Sequence, residues 1–363
     1  MIAQRRGVLG WRGVVVMAAL IVAMGAFIAL RRWERAHANV AAPAVARGVL
    51  ESLPAGAVVA AELDLRALRA HPLTAAWLRE PRVLEGLGDI TAICGADPLE
   101  QVERLGVAVP TSNEAGFGLV ALGSIDAGLL STCAERLIAR RGGTPSRELV
   151  AGFSVVRDAA LPEGARVAVR RGGPLFLAEP AYLARALRML TSAQPSLADD
   201  PAHAALRSRV GDGVLVVTAV LSKEQRTTLA FELERQGVIG SPFVGLAGGA
   251  VAVSLGERLD WHVVASCDAG GSAAAIGDQL RQELKTQAAT PLAKLVGYAS
   301  LLERVTVEVD GSDVHLRAAL PPEDVLFVFR RVVALQRLAG GNAAPAANPL
   351  APASTGAPAK DEK

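Results

Sequence analysis

Aromatic residues are scarce: two tyrosines, four tryptophans and eight phenylalanines make up 4% of the 363 residues. Such side chains supply much of the contact energy at pockets and stacking surfaces, so the chain is poorly equipped to stack bases or line an aromatic site. An excess of one sign of charge is also missing. The formal net charge of +2 arises from near-equal acids and bases spread along the chain, which excludes the clustered basic face that nucleic acid requires. Cysteine is limited to Cys94, Cys133 and Cys267, with no C-x-x-C and no metal-type spacing to histidine. The five histidines, His37, His71, His203, His262 and His315, never stand three or four apart, so no zinc-binding helix face exists. No G-x-S-x-G nucleophile elbow occurs. Cys267-Asp268-Ala269-Gly270-Gly271-Ser272 lies between a strand and a helix, yet it matches neither glycine-rich phosphate loop and no suitably placed lysine follows. No catalytic, cofactor-binding or metal-ligating residue is therefore assigned, no cofactor is expected, and the chain reads as non-enzymatic.

One long uncharged apolar run is present. Gly13 to Leu30 would span roughly 27 Å at the helical rise of ~1.5 Å per residue, close to the hydrocarbon core of a bilayer. Inside lipid only a helix satisfies every backbone group of a single segment. Trp11 and Trp33 flank the run where indoles settle at membrane interfaces, and arginines stand on both sides. The sequence predicts a transmembrane helix over 13–33, a cytoplasmic tail over 1–12 and a stalk linker over 34–52. The competing reading is a cleaved signal peptide, for which Ala36-His37-Ala38 is a small-x-small motif. The length of the run and the charged segment Arg31 to Arg35 favour a retained anchor. The charge bias across the run is nearly neutral, and the short tail favours a body outside the cytoplasmic membrane.

Beyond the stalk, helical and strand patterns alternate without long gaps. Ala57 to Leu65, Leu105 to Val109 and Phe117 to Leu122 read as strands, and Asp126 to Arg141 as a helix. Phe153 to Arg157, Arg166 to Arg170 and Leu175 to Ala178 are further strands, followed by a helix over Ala181 to Leu190. The polar break Gln194 to Pro201 is the best internal boundary, dividing a module at 53–195 from one at 196–338. After it come a strand over Gly213 to Leu221, the capping box Ser222-Lys223-Glu224-Gln225 and its helix. Strands over Gly249 to Leu255 and Leu259 to Cys267 follow, then helices over Ala273 to Leu284 and Pro291 to Leu302. In the hairpin Val305 to Ala318 a four-residue loop sets Glu308 opposite His315 and avoids the repulsive pair Glu308–Asp313. A last helix, Val325 to Leu338, precedes a Gly-, Ala- and Pro-rich tail, 339–363, read as disordered.

The two modules repeat an order of elements. Phe117–Ile138 and Asp260–Leu280 each give a strand, the motif Ser-x-Asp-Ala-Gly and a helix, with a further strand upstream. The fold class is accordingly α+β: two tandem related modules, each an antiparallel sheet with helices on one face. Asp126 and Asp268 would each cap the helix that follows. A bridge between Cys94 and Cys133 is expected, with Cys267 buried and free.

The opening Leu53–Leu65 (LPAGAVVAAELDL), the segment Cys94–Pro110 and the single preceding apolar run resemble a loose group of membrane-anchored bacterial ectodomain proteins of unknown function. These open on an LPA-x-(A/V) strand, and the resemblance implies no activity and no site residues. The expected partners are the lipid bilayer, through the N-terminal helix, and a protein of the bacterial envelope, with no nucleic acid. The expected location is the cytoplasmic membrane, single-pass, with the body on the periplasmic side. A membrane-tethered enzyme with a dispersed active site is the alternative, and His262, Asp268 and His315 are its first suspects.

Overall fold

The computed structural model describes residues 48–328 and 331, apart from 79–82, 85–87, 96, 111–115, 193 and 236–241. The expected tail 1–12, membrane helix 13–33, most of the stalk and the tail 339–363 lie outside the described residues. Among the described residues no helix is long and apolar enough to cross a membrane.

In chain order, β1 (Ala57–Asp64) leads into α1 (Leu65–Ala70) and α2 (Pro72–Leu78), a small hairpin of β2 (Val83–Leu84) and β3 (Gly88–Asp89), and α3 (Ile90–Cys94). The antiparallel pair β4 (Val102–Pro110) and β5 (Gly118–Gly123) precedes α4 (Ala127–Arg140). Next come β6 (Pro145–Val150), β7 (Phe153–Asp158), β8 (Arg166–Val169), β9 (Leu175–Ala178), α5 (Pro180–Thr191) and α6 (Pro201–Val210). The second half runs β10 (Leu215–Val220), α7 (Lys223–Arg235), β11 (Leu246–Leu255), β12 (Leu259–Cys267) and α8 (Gly270–Ala289). It ends with α9 (Pro291–Val296), α10 (Ala299–Leu302), β13 (Thr306–Asp310), β14 (Asp313–Leu320) and a helical segment from residue 322. Several boundaries have visible chemical causes. Asp64 ends β1 by accepting from the Ala67 amide of α1. Ser222 and Gln225 close the expected capping box at α7, each side chain bonded to the other's amide at 3.2 and 2.8 Å. Gly297, at φ 82°, takes the left-handed cap that divides the expected helix over Pro291 to Leu302 into α9 and α10.

The expected pair of separate sheets, with helices on one face of each, is replaced by one twelve-stranded antiparallel sheet with helices on both faces. Its order is β13-β14-β12-β11-β10-β1-β4-β5-β9-β8-β7-β6. The join is the pairing of β1 with β10, in register from Val59↔Ala219 to Leu63↔Leu215. Both strands carry buried residues on both faces, Ala60 and Leu63 in β1, Val216 and Val217 in β10. Two sheets kept apart would leave these apolar edges with unpaired backbone groups. Outward from the join each half follows the same sequence of neighbours: β1, β4, β5 on one side and β10, β11, β12 on the other.

On one face α5 and α6 pack. Tyr182, Leu183, Ala186 and Leu187 of α5 cover Ala108, Val120, Phe176 and Ala168. Leu206 and Val210 of α6 cover Val216, Ala250, Ala252 and Val264. A Cβ at Gly118 would collide with the Tyr182 ring, so glycine there lets α5 sit against the sheet. On the other face, Leu65 and Leu68 of α1 and Leu130 of α4 join Leu63, Leu105, Leu119 and Ala121, while Ala273 and Ile276 of α8 meet Trp261, Val314 and Leu316.

The boundaries also shift. Val49 and Ser52, expected at the end of the stalk, are 1% exposed and belong to the folded body. The break at 194–201 is tied back to the start of the body, with Leu197 N donating to Leu53 O at 2.7 Å. Cys94 and Cys133 form the expected disulfide between α3 and α4, with Cα atoms 4.6 Å apart, and Cys267 is free and buried.

Candidate functional site

The face that α5 closes in the first half is covered by α6 as far as Val264 in the second and lies open beyond it, over the rest of the outer strands. Strand alternation puts Asp260, His262 and Val264 of β12 on that face, and pairing brings Arg317 opposite His262 and His315 opposite Val264. On the edge strand, Thr306 stands opposite Arg317 and Glu308 opposite His315, the register expected for this hairpin. Asp310 and Asp313 close the turn, and Gly311 supplies its positive φ of 57°. The final helical segment follows β14 as α5 follows β9, but among the described residues it is not packed on these side chains. Its Val328 packs with Val296 and Leu301.

The two histidines form a hydrogen-bonded chain whose polarity follows from chemistry. A backbone carbonyl can only accept, so His262 Nδ1 donates to Val210 O, at 3.3 Å, where α6 ends. His262 Nε2 is then the acceptor in neutral imidazole, and His315 Nδ1 donates to it at 3.1 Å. The rings are stacked, with centroids 5.4 Å apart and planes inclined by 24°. Partial burial pushes the His262 imidazole below its ordinary value of 6.5; the Val210 carbonyl and Glu308 pull it up, while Arg317 and His315 push it further down. Around the pair, Arg317 bonds Glu308 at 2.7 Å, both side chains largely exposed. Arg209, on the last turn of α6, bonds Asp313 at 2.9 Å and Ser266 at 2.6 Å.

Beside the histidines the same face hollows into an open concavity of about 660 Å³. Val210, Ala252 and Ala319 contribute apolar surface, and Arg258, Arg304, Arg317, Asp260 and His262 contribute ionisable groups. Arg304 leans toward Asp324, at 3.5 Å. Arg258 has no side-chain partner among the described residues. No cluster of three or more His, Cys, Asp or Glu capable of holding a metal occurs among the described residues.

Of the suspects for the alternative reading, His262 and His315 are brought together and Asp268 is not. Asp268 lies six positions beyond His262, roughly 20 Å along an extended strand. The caps of the two helices also differ. Asp126 caps α4, its carboxylate accepting from Gly128 N and Leu129 N at 2.9 and 3.0 Å. Asp268 caps nothing: α8 starts at Gly270 with Ala269 at the cap position, and the Asp268 carboxylate is drawn to the guanidinium of Arg226 on α7. The Cys267 thiol is pushed up by burial and by Asp313 and Asp268, which leaves it a poor nucleophile. The sequence reading missed Arg258, Arg304 and Arg317. The period-two alternation of Val314 to Ala318 already placed Arg317 beside His315 on one face.

No family model and no curated relative matches the chain. Among solved structures it is similar to crystal form I of TP0453, at 10% identity and a TM-score of 0.42, over 78% of this chain and 97% of that one. Crystal form III of TP0453 gives 11% identity and a TM-score of 0.45, over 78% and 98%.

Proposed function

We propose that the chain is a single-pass, membrane-tethered, non-enzymatic binding module of the bacterial envelope, its body displayed on the periplasmic side from the helix expected at 13–33. The observation that carries this reading is the open face over β12–β14. There charged and imidazole side chains stay accessible on a rigid sheet whose other half is sealed by apolar packing. A binding surface needs this combination: preorganised polar groups on a scaffold held elsewhere. The Cys94–Cys133 bridge supports an oxidising compartment, hence a body outside the cytoplasm. The duplicated-module reading belongs here as well. The mirrored order of neighbours about the β1–β10 join supports descent from one unit, and the dissimilar roles of Asp126 and Asp268 mark where the halves have diverged.

Protease added to spheroplasts should degrade the body while cytoplasmic markers survive, and the two bridged cysteines should resist a thiol-reactive polymer until reductant is added. A body protected in intact spheroplasts would overturn the topology. A mature N-terminus at Asn39 would replace the anchor with a cleaved signal. The enzyme alternative draws on the His262–His315 pair, which could pass a proton, but the concavity beside it is open to solvent and Asp268 stands away from it. Saturable binding of an envelope component without turnover favours the module, whereas a turnover reaction that is lost in a His262→Gln, His315→Gln variant favours the enzyme.

A further inference from the structure

From the makeup of the concavity we infer that the open face takes an organic phosphate: an oxyanion carried on a small apolar body. The inference rests on the reading of that face as the binding surface and adds the chemical class of what it binds. Three guanidinium groups, Arg258, Arg304 and Arg317, line the hollow against one lining carboxylate, Asp260. Guanidinium groups are planar forks whose paired N–H donors match the oxygens of a phosphate, and they hold their charge at every physiological pH. Their present engagements differ in a way that suits an incoming anion. Arg258 has no side-chain partner among the described residues. Arg304 is held at 3.5 Å by Asp324, and Arg317 by the exposed Glu308, neither of which lines the hollow. An arriving phosphate therefore meets one fork with no side-chain partner among the described residues and two whose carboxylate partners lie outside the site and are easily exchanged in water. The apolar floor of Val210, Ala252 and Ala319, and a volume of about 660 Å³, exceed what inorganic phosphate alone would fill. Asp260 on the rim disfavours a second negative group on that side, which selects a ligand with its charge at one end.

The test uses the full chain in detergent micelles, with phenyl phosphate, inorganic phosphate, benzyl alcohol and phosphatidylglycerol vesicles as probes, read by calorimetry or by flotation. Phenyl phosphate should bind saturably and at least about tenfold more tightly than inorganic phosphate, and benzyl alcohol should not bind. Arg258→Ala should weaken phenyl phosphate about tenfold, the loss of one charge-assisted hydrogen bond, whereas Arg140→Ala on α4 should change nothing. Glu308→Gln should tighten binding, because it frees the Arg317 fork; a purely structural role for Arg317 would not produce a gain. Vesicle binding that also depends on Arg258 identifies a lipid headgroup as the phosphate source, and phenyl phosphate binding without vesicle binding identifies a free ligand. No saturable binding of either, or binding that survives the folded Arg258→Ala, Arg317→Ala double variant, overturns the inference. That result leaves the tethered-module reading standing, since the protease and thiol experiments test it separately.

Discussion

One face of the sheet is treated in two ways. Over β5, β9, β8 and β7 it is lined by Val120, Phe176, Ala168 and Val155, each at most 1% exposed beneath α5. Over β12, β14 and β13, its counterparts outward from the join, it carries His262, His315, Arg317 and Glu308 and faces solvent. The difference lies in the helix that follows. After β9 the chain turns back over the face as α5, while after β14 the described residues reach only to Val328, which packs on Val296 of α9 and Leu301 of α10. The same scaffold thus yields a sealed core in one half and a presentation surface in the other. Stability and function should divide along that line.

The comparison is broken most directly by removing one residue from each half. Phe176→Ala should cost about 3–5 kcal/mol, because a large side chain with no exposure leaves a cavity that the rigid layers cannot close. His315→Ala, half-buried and bonded to one neighbour, should cost less than about 1 kcal/mol. Denaturant midpoints of the two variants measure both, and equal losses would refute the division. The disulfide comes next. It closes a loop of sequence separation 39, and opening it by Cys94→Ala with Cys133→Ala should lower stability by about 3–4 kcal/mol on the chain-entropy model. Reduction of the wild-type chain should reproduce the loss.

The paired aspartates sharpen the comparison at smaller scale. Asp126→Ala should cost about 1 kcal/mol through the lost cap of α4. Asp268→Ala should act only through Arg226, so a double-mutant cycle should show coupling of at most about 1 kcal/mol between them and none between Asp126 and Arg226. The smallest effect is on pH dependence. The folded His262 value is depressed below 6.5, so the unfolded chain binds more protons as pH falls through that value. Stability from His262 is fully present above about pH 6.5 and is lost as the pH drops below it. Arg317, His315, Glu308 and Asp260 are the charged or titratable groups facing this ring. The slope should become shallower by this contribution in His262→Gln, followed by thermal unfolding between pH 5 and 8.

Legibility in the sequence followed the range of the interactions. The α4 cap, the Ser222 box, the β13–β14 register and the disulfide depend on residues close in sequence or on cysteine chemistry, and all are as read from the chain. The β6–β7 hairpin was hidden because Pro145 heads its first strand and Ala151, at φ 51°, fills a left-handed turn position that usually signals itself with Asn or Gly. The sequence reading assigns no element between the break ending at Pro201 and the strand at Gly213, although Asp200 caps α6 there with Pro201 at its first position. Its apolar stripe is short, and only the sheet beneath it reveals that Leu206 and Val210 are core. Fusion of the two sheets was not legible at all. It depends on β1 meeting a strand about 150 residues later, and no local pattern records that choice. The site was half legible, since alternation placed His262 and His315 on strand faces with Arg317 beside His315, but Arg258 and Arg304 come from separate turns.

The central place of β1 sets a timetable for assembly. It is the first of the described strands to leave the ribosome or a translocation channel, and it must wait for residues 215–220 before its second edge is covered. During that wait the first half presents an unpaired strand flanked by finished structure, an adhesive template for any other chain at the same stage. Two such halves could join through β1 and β1 in the antiparallel sense that β10 later adopts. A chain stopped before Leu215 should therefore be recovered as a dimer or an aggregate, so the late arrival of β10 sets when the protein becomes solitary.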